Sequence, residues 1–296
     1  MKKTFSILLF LILSLAGING KVQAQEFVTL FPYPTAPDTC RTLESRCDYS
    51  TAHFWDKFEY SRQLTSADDS LLAKAMSDYF DIMAHADLKV ATTSVRNLMF
   101  KAQTNQKNFV RLLDVAYRML FTGLKPLTDD VFLAFAQSAV DATWLPAKSR
   151  DGFKEIMRRI ANTRAGQPIS DFAYSGTSGR GRFNDGIQEG DSALVLLFFT
   201  RDDADSPLEA TRLSADLGVS SLISRGYLKL VEVYGGKNDD YVATETKANP
   251  TWQVVSSKDA HDNLDLRFVP SLMLLDAKHR IIYKNMVVDD IKNLIQ

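Results

Sequence analysis

Two cysteines, Cys40 and Cys47, carry the most recognisable chemistry in this sequence, because thiolates are nucleophiles and paired thiols exchange with disulfides. The chain of 296 residues contains no other cysteine. Six residues separate the two, whereas redox pairs are typically spaced as Cys-x-x-Cys. Three alternatives are open for the pair: a relocated redox centre, a structural disulfide, or two free thiols.

An acidic stretch at 202–205 leads into the sequence Ser-Pro-Leu-Glu. We predict a helix start there, with Ser206 at the N-cap, Pro207 at the first helical position and Glu209 completing a capping box. A nucleophilic Ser206 is the alternative, but no histidine lies nearby in the sequence to act as its base. A cation site is disfavoured, because hard-metal loops add regularly spaced oxygen ligands and a glycine turn.

Residues 176–181, Gly-Thr-Ser-Gly-Arg-Gly, superficially suggest a phosphate-binding loop. They lack the Gly-Lys-Ser/Thr ending and a preceding buried strand, so we predict a β-hairpin turn instead. The four histidines share no metal-ligand spacing, and we therefore predict neither a metal nor a cofactor. These histidines are His53, His85, His261 and His279.

The overall composition is that of an ordinary globular protein. Hydrophobic residues make up 45% and charged residues 24%, and 35 basic against 36 acidic residues give a net charge of −1. Binding to nucleic-acid phosphates requires a basic surface, so this balance argues against a nucleic-acid partner. The length fits two domains of about 100 to 200 residues each.

The first residues predict an export signal. Lys2 and Lys3 precede a short apolar run at 7–15, and the sequence Val-Gln-Ala at 22–24 fits the small-x-small cleavage pattern. We therefore predict a signal peptide at 1–24 and an exported protein of the periplasm or cell envelope. The junction carries no cysteine for lipid attachment, and no later segment is predicted to cross a membrane. An uncleaved N-terminal anchor is the alternative.

The next part of the chain, residues 25–164, predicts an all-helical domain. Its apolar residues recur with the period of an amphipathic helix, and strand signals are absent. Helices are expected around 54–58, 71–80, 90–102, 109–121, 131–140 and 153–160. The apolar stripes indicate a packed core and show no catalytic spacing.

Residues 165–296 predict an α/β domain. A continuous apolar run at 193–199 is typical of a central strand that is buried on both faces. Further strands are expected at 228–234, 271–275 and 280–284, with helices at 207–224 and 288–295.

This order of elements resembles the thioredoxin fold. The resemblance is carried by Phe-Phe-Thr-Arg-Asp-Asp-Ala-Asp-Ser-Pro at 198–207 and by Phe-Val-Pro-Ser-Leu-Met-Leu-Leu-Asp at 268–276. The second stretch resembles the family segment whose proline is cis and faces the active site. Residues 171–174 resemble the extra N-terminal strands of exported thioredoxin-like proteins. Residues 47–58 resemble the opening of a helical domain of unknown function that precedes the thioredoxin domain in bacterial relatives.

Active members of that family carry Cys-x-x-Cys where a strand meets its helix, and the resemblance puts Asp203 and Ser206 at the two cysteine positions. Neither side chain can exchange with a disulfide, and no cysteine occurs in this half of the chain. The family also implies that the residue before the proline pairs with an extended peptide. We therefore expect a peptide-binding surface at Val269, Pro270 and Ser271.

The function expected from these features is the binding or scaffolding of envelope proteins or peptides by a thioredoxin fold that lacks its dithiol. One alternative is a thiol-disulfide oxidoreductase of the envelope, and another is a structural envelope component that acts through its helical domain. An exported chain meets an oxidising compartment, so we expect Cys40 and Cys47 to form a structural disulfide.

Overall fold

The first half of the chain folds into helices joined by short turns. The computed structural model describes residues 28–123, 128–186, 194–236 and 239–294. The helices are α1 (Leu43–His53), α2 (Asp69–Met83), α3 (Leu88–Ala102), α4 (Gln106–Phe121), α5 (Asp129–Asp141) and α6 (Ala147–Asn162). The signal peptide predicted at 1–24 lies outside the described residues.

The periodic apolar stripes form the core of this helical domain, as predicted. In α2 the buried side chains are Leu72, Ala75, Met76, Tyr79, Phe80 and Met83. Helices α3 and α4 begin after Asp87 and Asn105, whose side chains accept hydrogen bonds from N–H groups of the first turn. The stripes pack against one another because each helix has only one apolar face to bury.

The prediction of a helix around 54–58 is wrong. Helix α1 ends at His53, and the following residues form a turn. The aromatic residues of this turn are buried because they pack around Phe31, whose ring centroid lies 5.7 Å from Phe54, 5.1 Å from Trp55 and 5.6 Å from Phe58. Their apolar character therefore reflects a local aromatic cluster rather than helical periodicity.

The second half of the chain builds one mixed sheet of seven strands in the order β2-β1-β5-β4-β3-β6-β7. The strands are β1 (Ala173–Gly176), β2 (Gly179–Arg182), β3 (Leu194–Thr200), β4 (Leu228–Tyr234), β5 (Gln253–Ser256), β6 (Ser271–Asp276) and β7 (Ile281–Met286). Strand β3 is parallel to β4 and antiparallel to β6, and β4 is parallel to β5. The helices are α7 (Phe183–Gly186), α8 (Asp205–Ser214), α9 (Leu217–Ser224), α10 (Asp239–Ala248), α11 (Lys258–Asn263) and α12 (Val288–Leu294).

Strand β3 is the central strand that the apolar run predicted. Its alternate residues enter two separate cores: Val195, Leu197 and Phe199 pack into one. Leu196 and Phe198 pack into the other. Because residues along a strand alternate between faces, the two cores lie on opposite faces of the sheet.

The helix predicted at 207–224 is two helices, α8 and α9. Asp216 separates them, because its side chain accepts hydrogen bonds from the N–H groups of Gly218 and Val219 and so starts a new helix. None of the helices in the described ranges is long and apolar enough to cross a membrane.

Candidate functional site

The candidate site lies where β3 and β4 end at the same edge of the sheet. Phe199 of β3 is in register with Ser271 of β6, and Thr200 of β3 is in register with Tyr234 of β4. The chain then continues from Thr200 through a short loop into α8. Carboxyl ends of parallel strands are a common location for binding sites in α/β folds.

Asp203 closes the loop that precedes α8. Its Oδ1 accepts hydrogen bonds from the backbone N–H groups of Asp205 at 3.1 Å and Ser206 at 2.7 Å. Its Oδ2 accepts a hydrogen bond from Nε of Arg201 at 2.7 Å. Burial by itself raises the pKa of Asp203, but these hydrogen bonds outweigh it and the pKa is lowered overall. The position that resembles the first family cysteine is thus a carboxylate that caps a helix.

Ser206 is fully buried, and its hydroxyl accepts a hydrogen bond from the backbone N–H of Arg201 at 3.1 Å. The capping box predicted for Ser206 and Glu209 is therefore wrong. The helix starts at Asp205, two residues before the predicted first position Pro207, so the Ser206 N–H is itself one of the first-turn donors that Asp203 binds. Glu209 instead pairs with Arg212 at 2.6 Å on the same helix.

The expected peptide-binding residues lie at the same edge. The Val269–Pro270 peptide bond is cis, and Val269 and Ser271 are 8% and 6% exposed. Pro270 is half-buried and precedes the first β6 residue that pairs with β3. The structure therefore brings this segment to the sheet edge where the loop of Asp203 begins.

A buried glutamate lies beneath this edge, on the face of the sheet that α8 covers. Oε1 of Glu232 in β4 accepts hydrogen bonds from the hydroxyl of Thr200 at 3.0 Å and of Tyr241 at 2.7 Å. Its Oε2 has no hydrogen-bond partner among the described residues. Burial raises the pKa of Glu232 to about 7, and the two hydrogen bonds lower it only in part. The carboxyl group can therefore hold a proton near neutral pH.

Sequence reasoning missed Glu232, although a signal was present. The strand Leu228–Tyr234 alternates, with Leu228 and Leu230 on one face, and the glutamate continues that apolar face. A charged residue at a position that the alternation assigns to the core is an exception that marks a polar network.

His261 of α11 lies on the opposite face of the sheet, beside Phe199, whose ring centroid is 6.3 Å from the imidazole. Burial lowers the pKa of His261, and Nε2 has no hydrogen-bond partner among the described residues. A Cβ on Gly235 would approach the imidazole within 2.6 Å, so only glycine fits there. His261 is thus a packed side chain whose burial favours the neutral imidazole.

The two cysteines lie in the helical half, away from this loop. Both are free thiols in the structure, Cys40 half-buried before α1 and Cys47 buried within it, so the bridge expected between them is not formed there. Burial raises the pKa of Cys47, and the nearby carboxylate of Asp48 raises it further. A thiol with a raised pKa is a poor nucleophile, which disfavours a redox centre at Cys47.

The remaining motifs have structural roles. Residues 176–181 contain the turn of the β1–β2 hairpin, as predicted: residues 177–178 form the turn, and Gly176 pairs with Gly179. Within the described ranges, no group of three or more His, Cys, Asp or Glu side chains is arranged to hold a metal ion.

Comparison with known proteins agrees with this two-part organisation. Residues 17–162 match a family described as a domain of unknown function, DUF5106. The chain also superimposes on the crystal structure of a thioredoxin-like protein from Bacteroides caccae, with a TM-score of 0.79 and 19% identity, covering 90% of this chain and 98% of that one. The predicted helical and thioredoxin-like fold is therefore confirmed.

Shorter matches cover less than half of the chain. One is the thioredoxin domain of a thiol-disulfide oxidoreductase from Bacteroides vulgatus, at 16% identity and a TM-score of 0.36, covering 45% of this chain and 95% of that one. Another is the C-terminal domain of a putative thiol-disulfide oxidoreductase from Bacteroides thetaiotaomicron, at 14% identity and a TM-score of 0.36, covering 45% and 95%. No curated protein matches the chain.

Proposed function

We propose that this chain, a helical domain of unknown function followed by a thioredoxin-like fold, is an exported protein that binds extended peptide segments of envelope proteins without dithiol exchange. The observation that carries the proposal is the use made of Asp203 and Ser206. At the two positions where the resemblance expects cysteines, one side chain caps α8 and the other is buried and bound to the loop. No redox chemistry can occur at either residue.

The shape of the edge supports peptide binding. Strand pairing between β3 and β6 begins at Phe199 and Ser271, so Pro270 lies just beyond the end of the ladder. An extended chain can continue such a ladder through main-chain hydrogen bonds, which require no particular side chain and no thiol. Pro270 is half-buried and Asp202, in the loop after β3, is exposed, so both side chains keep surface that a bound chain could contact.

A direct binding measurement tests the proposal. The probe is reduced and carboxymethylated α-lactalbumin, a chain that stays unfolded and extended in buffer. We expect measurable binding by the full chain and a loss of about tenfold in affinity for Pro270→Ala, because one contact at an interface centre is commonly worth about 1.4 kcal/mol.

Pro250→Ala is the matched control. Pro250 is exposed and follows α10, at the opposite end of the sheet from the proposed site. Its replacement should leave the affinity for the carboxymethylated chain unchanged. Equal affinities for the wild type and Pro270→Ala, with both variants folded by circular dichroism, would remove Pro270 from the binding surface.

Thiol-disulfide exchange is the competing function, and an insulin-reduction assay separates the two. We expect no turnover by the wild-type chain, because its thioredoxin-like half contains no cysteine. The double variant Asp203→Cys/Ser206→Cys restores the Cys-x-x-Cys spacing and serves as the positive control. Wild-type turnover that disappears on replacing Cys40 or Cys47 would overturn the proposal.

A further inference from the structure

Arg267 is a buried cation at the junction of the two halves of the chain. It lies in the segment 264–270 that leads from α11 to β6, and its side chain is only 7% exposed. Nε and Nη2 each lie 2.7 Å from the carboxylate oxygens of Asp265, whose side chain is 3% exposed. Such a bidentate ion pair fixes the orientation of the guanidinium and also neutralises its charge.

The same guanidinium reaches across to the helical domain. Nη2 of Arg267 donates a hydrogen bond at 2.6 Å to Oδ1 of Asp129, in the first turn of α5. Nζ of Lys284 in β7 lies 2.5 Å from the other oxygen of Asp129 and 3.4 Å from Asp265. Burial opposes ionisation of Asp129, but Lys284 and Arg267 more than compensate and lower its pKa. Two carboxylates and two cations thus form one compensated cluster.

Aromatic packing surrounds this cluster. The guanidinium lies 5.2 Å from the ring centroid of Phe121 in α4 and 5.5 Å from that of Phe132 in α5. The ring of Phe268 packs on Gly123 so closely that a Cβ there would lie 2.7 Å from it. Stacked and partly desolvated contacts of this kind strengthen the ion pairs, because water cannot compete with them.

The contact continues along the preceding residues. Nδ2 of Asn162, at the end of α6, donates a hydrogen bond to the carbonyl of Asn263 at 2.9 Å. Nη2 of Arg158 donates one to the carbonyl of Asp262 at 3.3 Å. The chain from 262 to 268 is therefore held by α4, α5 and α6 up to two residues before Pro270.

We propose that the helical domain positions the segment leading into Pro270 through the pairing of Asp129 with Arg267 and Lys284. The consequence for peptide capture rests on the proposed function: removing this contact weakens binding at the Pro270 edge. Arg267 and Asp129 are positioning residues, since they act on the segment rather than on a bound peptide. The helical domain therefore positions part of the site without itself contacting a bound peptide.

Hydrogen exchange in the full-length chain tests the positioning without any ligand. In Asp129→Asn, we expect amides in 264–271 to exchange about tenfold faster, because local opening loses a contact of about 1.4 kcal/mol. Amides in the core of α4 should keep wild-type exchange rates. Asp129→Glu retains the charge and should restore protection to within about threefold of wild type.

The matched control is Asp130→Asn. Asp130 is the neighbouring carboxylate on α5, and it pairs with Arg164 at 2.9 Å on the exposed surface. Its loss should change exchange in 264–271 by less than about twofold, because exposed pairs contribute little. Equal effects of the two variants, or an equal rise in α4 and in 264–271, would reduce the cluster to an ordinary stability contact and overturn the inference.

Binding of carboxymethylated α-lactalbumin adds the functional readout. Asp129→Asn should weaken it about tenfold and Asp130→Asn by less than about twofold. If the wild type does not bind carboxymethylated α-lactalbumin, the proposed function fails. The hydrogen-exchange measurement still tests whether Asp129 positions the segment 264–271. If the wild type binds and Asp129→Asn binds equally well, the link between the helical domain and the site is wrong.

Discussion

At the scale of single residues, Glu232 is a charged residue type that the fold buries within strand β4. Its pKa is raised from 4.5 to about 7 by burial, so the folded state keeps a proton that the unfolded state loses. The contribution of Glu232 to stability is fully present below about pH 4.5 and is lost as the pH rises to about 7.

We predict that this loss disappears in Glu232→Gln. Between pH 5 and pH 8 the free energy of unfolding of the wild type should fall by about 3 kcal/mol more than that of the variant. Tyr241 and Glu245 face the same carboxyl group in both proteins, so the difference isolates Glu232. Urea unfolding at several pH values measures it, with the exposed Glu59→Gln as control. Parallel pH profiles of wild type and Glu232→Gln would contradict the assignment.

The two thiols should differ in reactivity. Cys47 is buried and its pKa is raised, whereas Cys40 is half-buried. In reduced, native protein we expect iodoacetamide to modify Cys40 several-fold faster than Cys47, because the thiolate is the reacting form. Peptide mass spectrometry over a time course measures both rates. Labelling of unfolded, unreduced protein shows separately whether the chain forms the disulfide, since bridged cysteines would not react.

At the scale of elements, the start of α8 depends on Asp203. Asp203→Ala removes the acceptor of two backbone N–H groups and should lower the free energy of unfolding by about 1 to 2 kcal/mol. Asp203→Asn keeps an acceptor and should cost less. Asp202→Ala, which replaces an exposed neighbour, should stay within about 0.5 kcal/mol of wild type. A loss as large for Asp202 as for Asp203 would contradict the capping role.

The elements themselves were largely predictable from local pattern. Strand β4 has the predicted bounds, because alternation over seven residues is a strong signal. The turn at 54–58 was not predictable, since its aromatic residues are buried by packing around the distant Phe31. The start of α8 was placed two residues late, because serine and aspartate both cap helices well and only the loop geometry chooses Asp203 over Ser206.

At the scale of the whole molecule, Arg267 joins the two halves of the chain. Arg267→Met keeps much of the side-chain packing, but among the residues that the structure describes it leaves the buried Asp265 with only the cation of Lys284, at 3.4 Å. We predict a loss of about 3 kcal/mol in the free energy of unfolding, because breaking a buried ion pair leaves a poorly compensated charge. Urea unfolding followed by tryptophan fluorescence measures this loss.

Arg164→Met serves as the control for that prediction. Arg164 forms an exposed pair with Asp130, so its replacement should cost less than about 1 kcal/mol. A similar cost for the two substitutions would show that the buried cluster contributes no more than a surface pair.

The sequence by itself determined the helical and α/β halves, the central strand and the absence of cysteines from the thioredoxin-like half, because periodicity, composition and residue identity are local properties. Only the tertiary structure decided that Asp203 caps α8, that Ser206 is buried, and that Asp129 meets Arg267. That last contact joins residues 138 positions apart. No local pattern records which distant charges will neutralise each other, because burial and compensation exist only once the two halves have packed together.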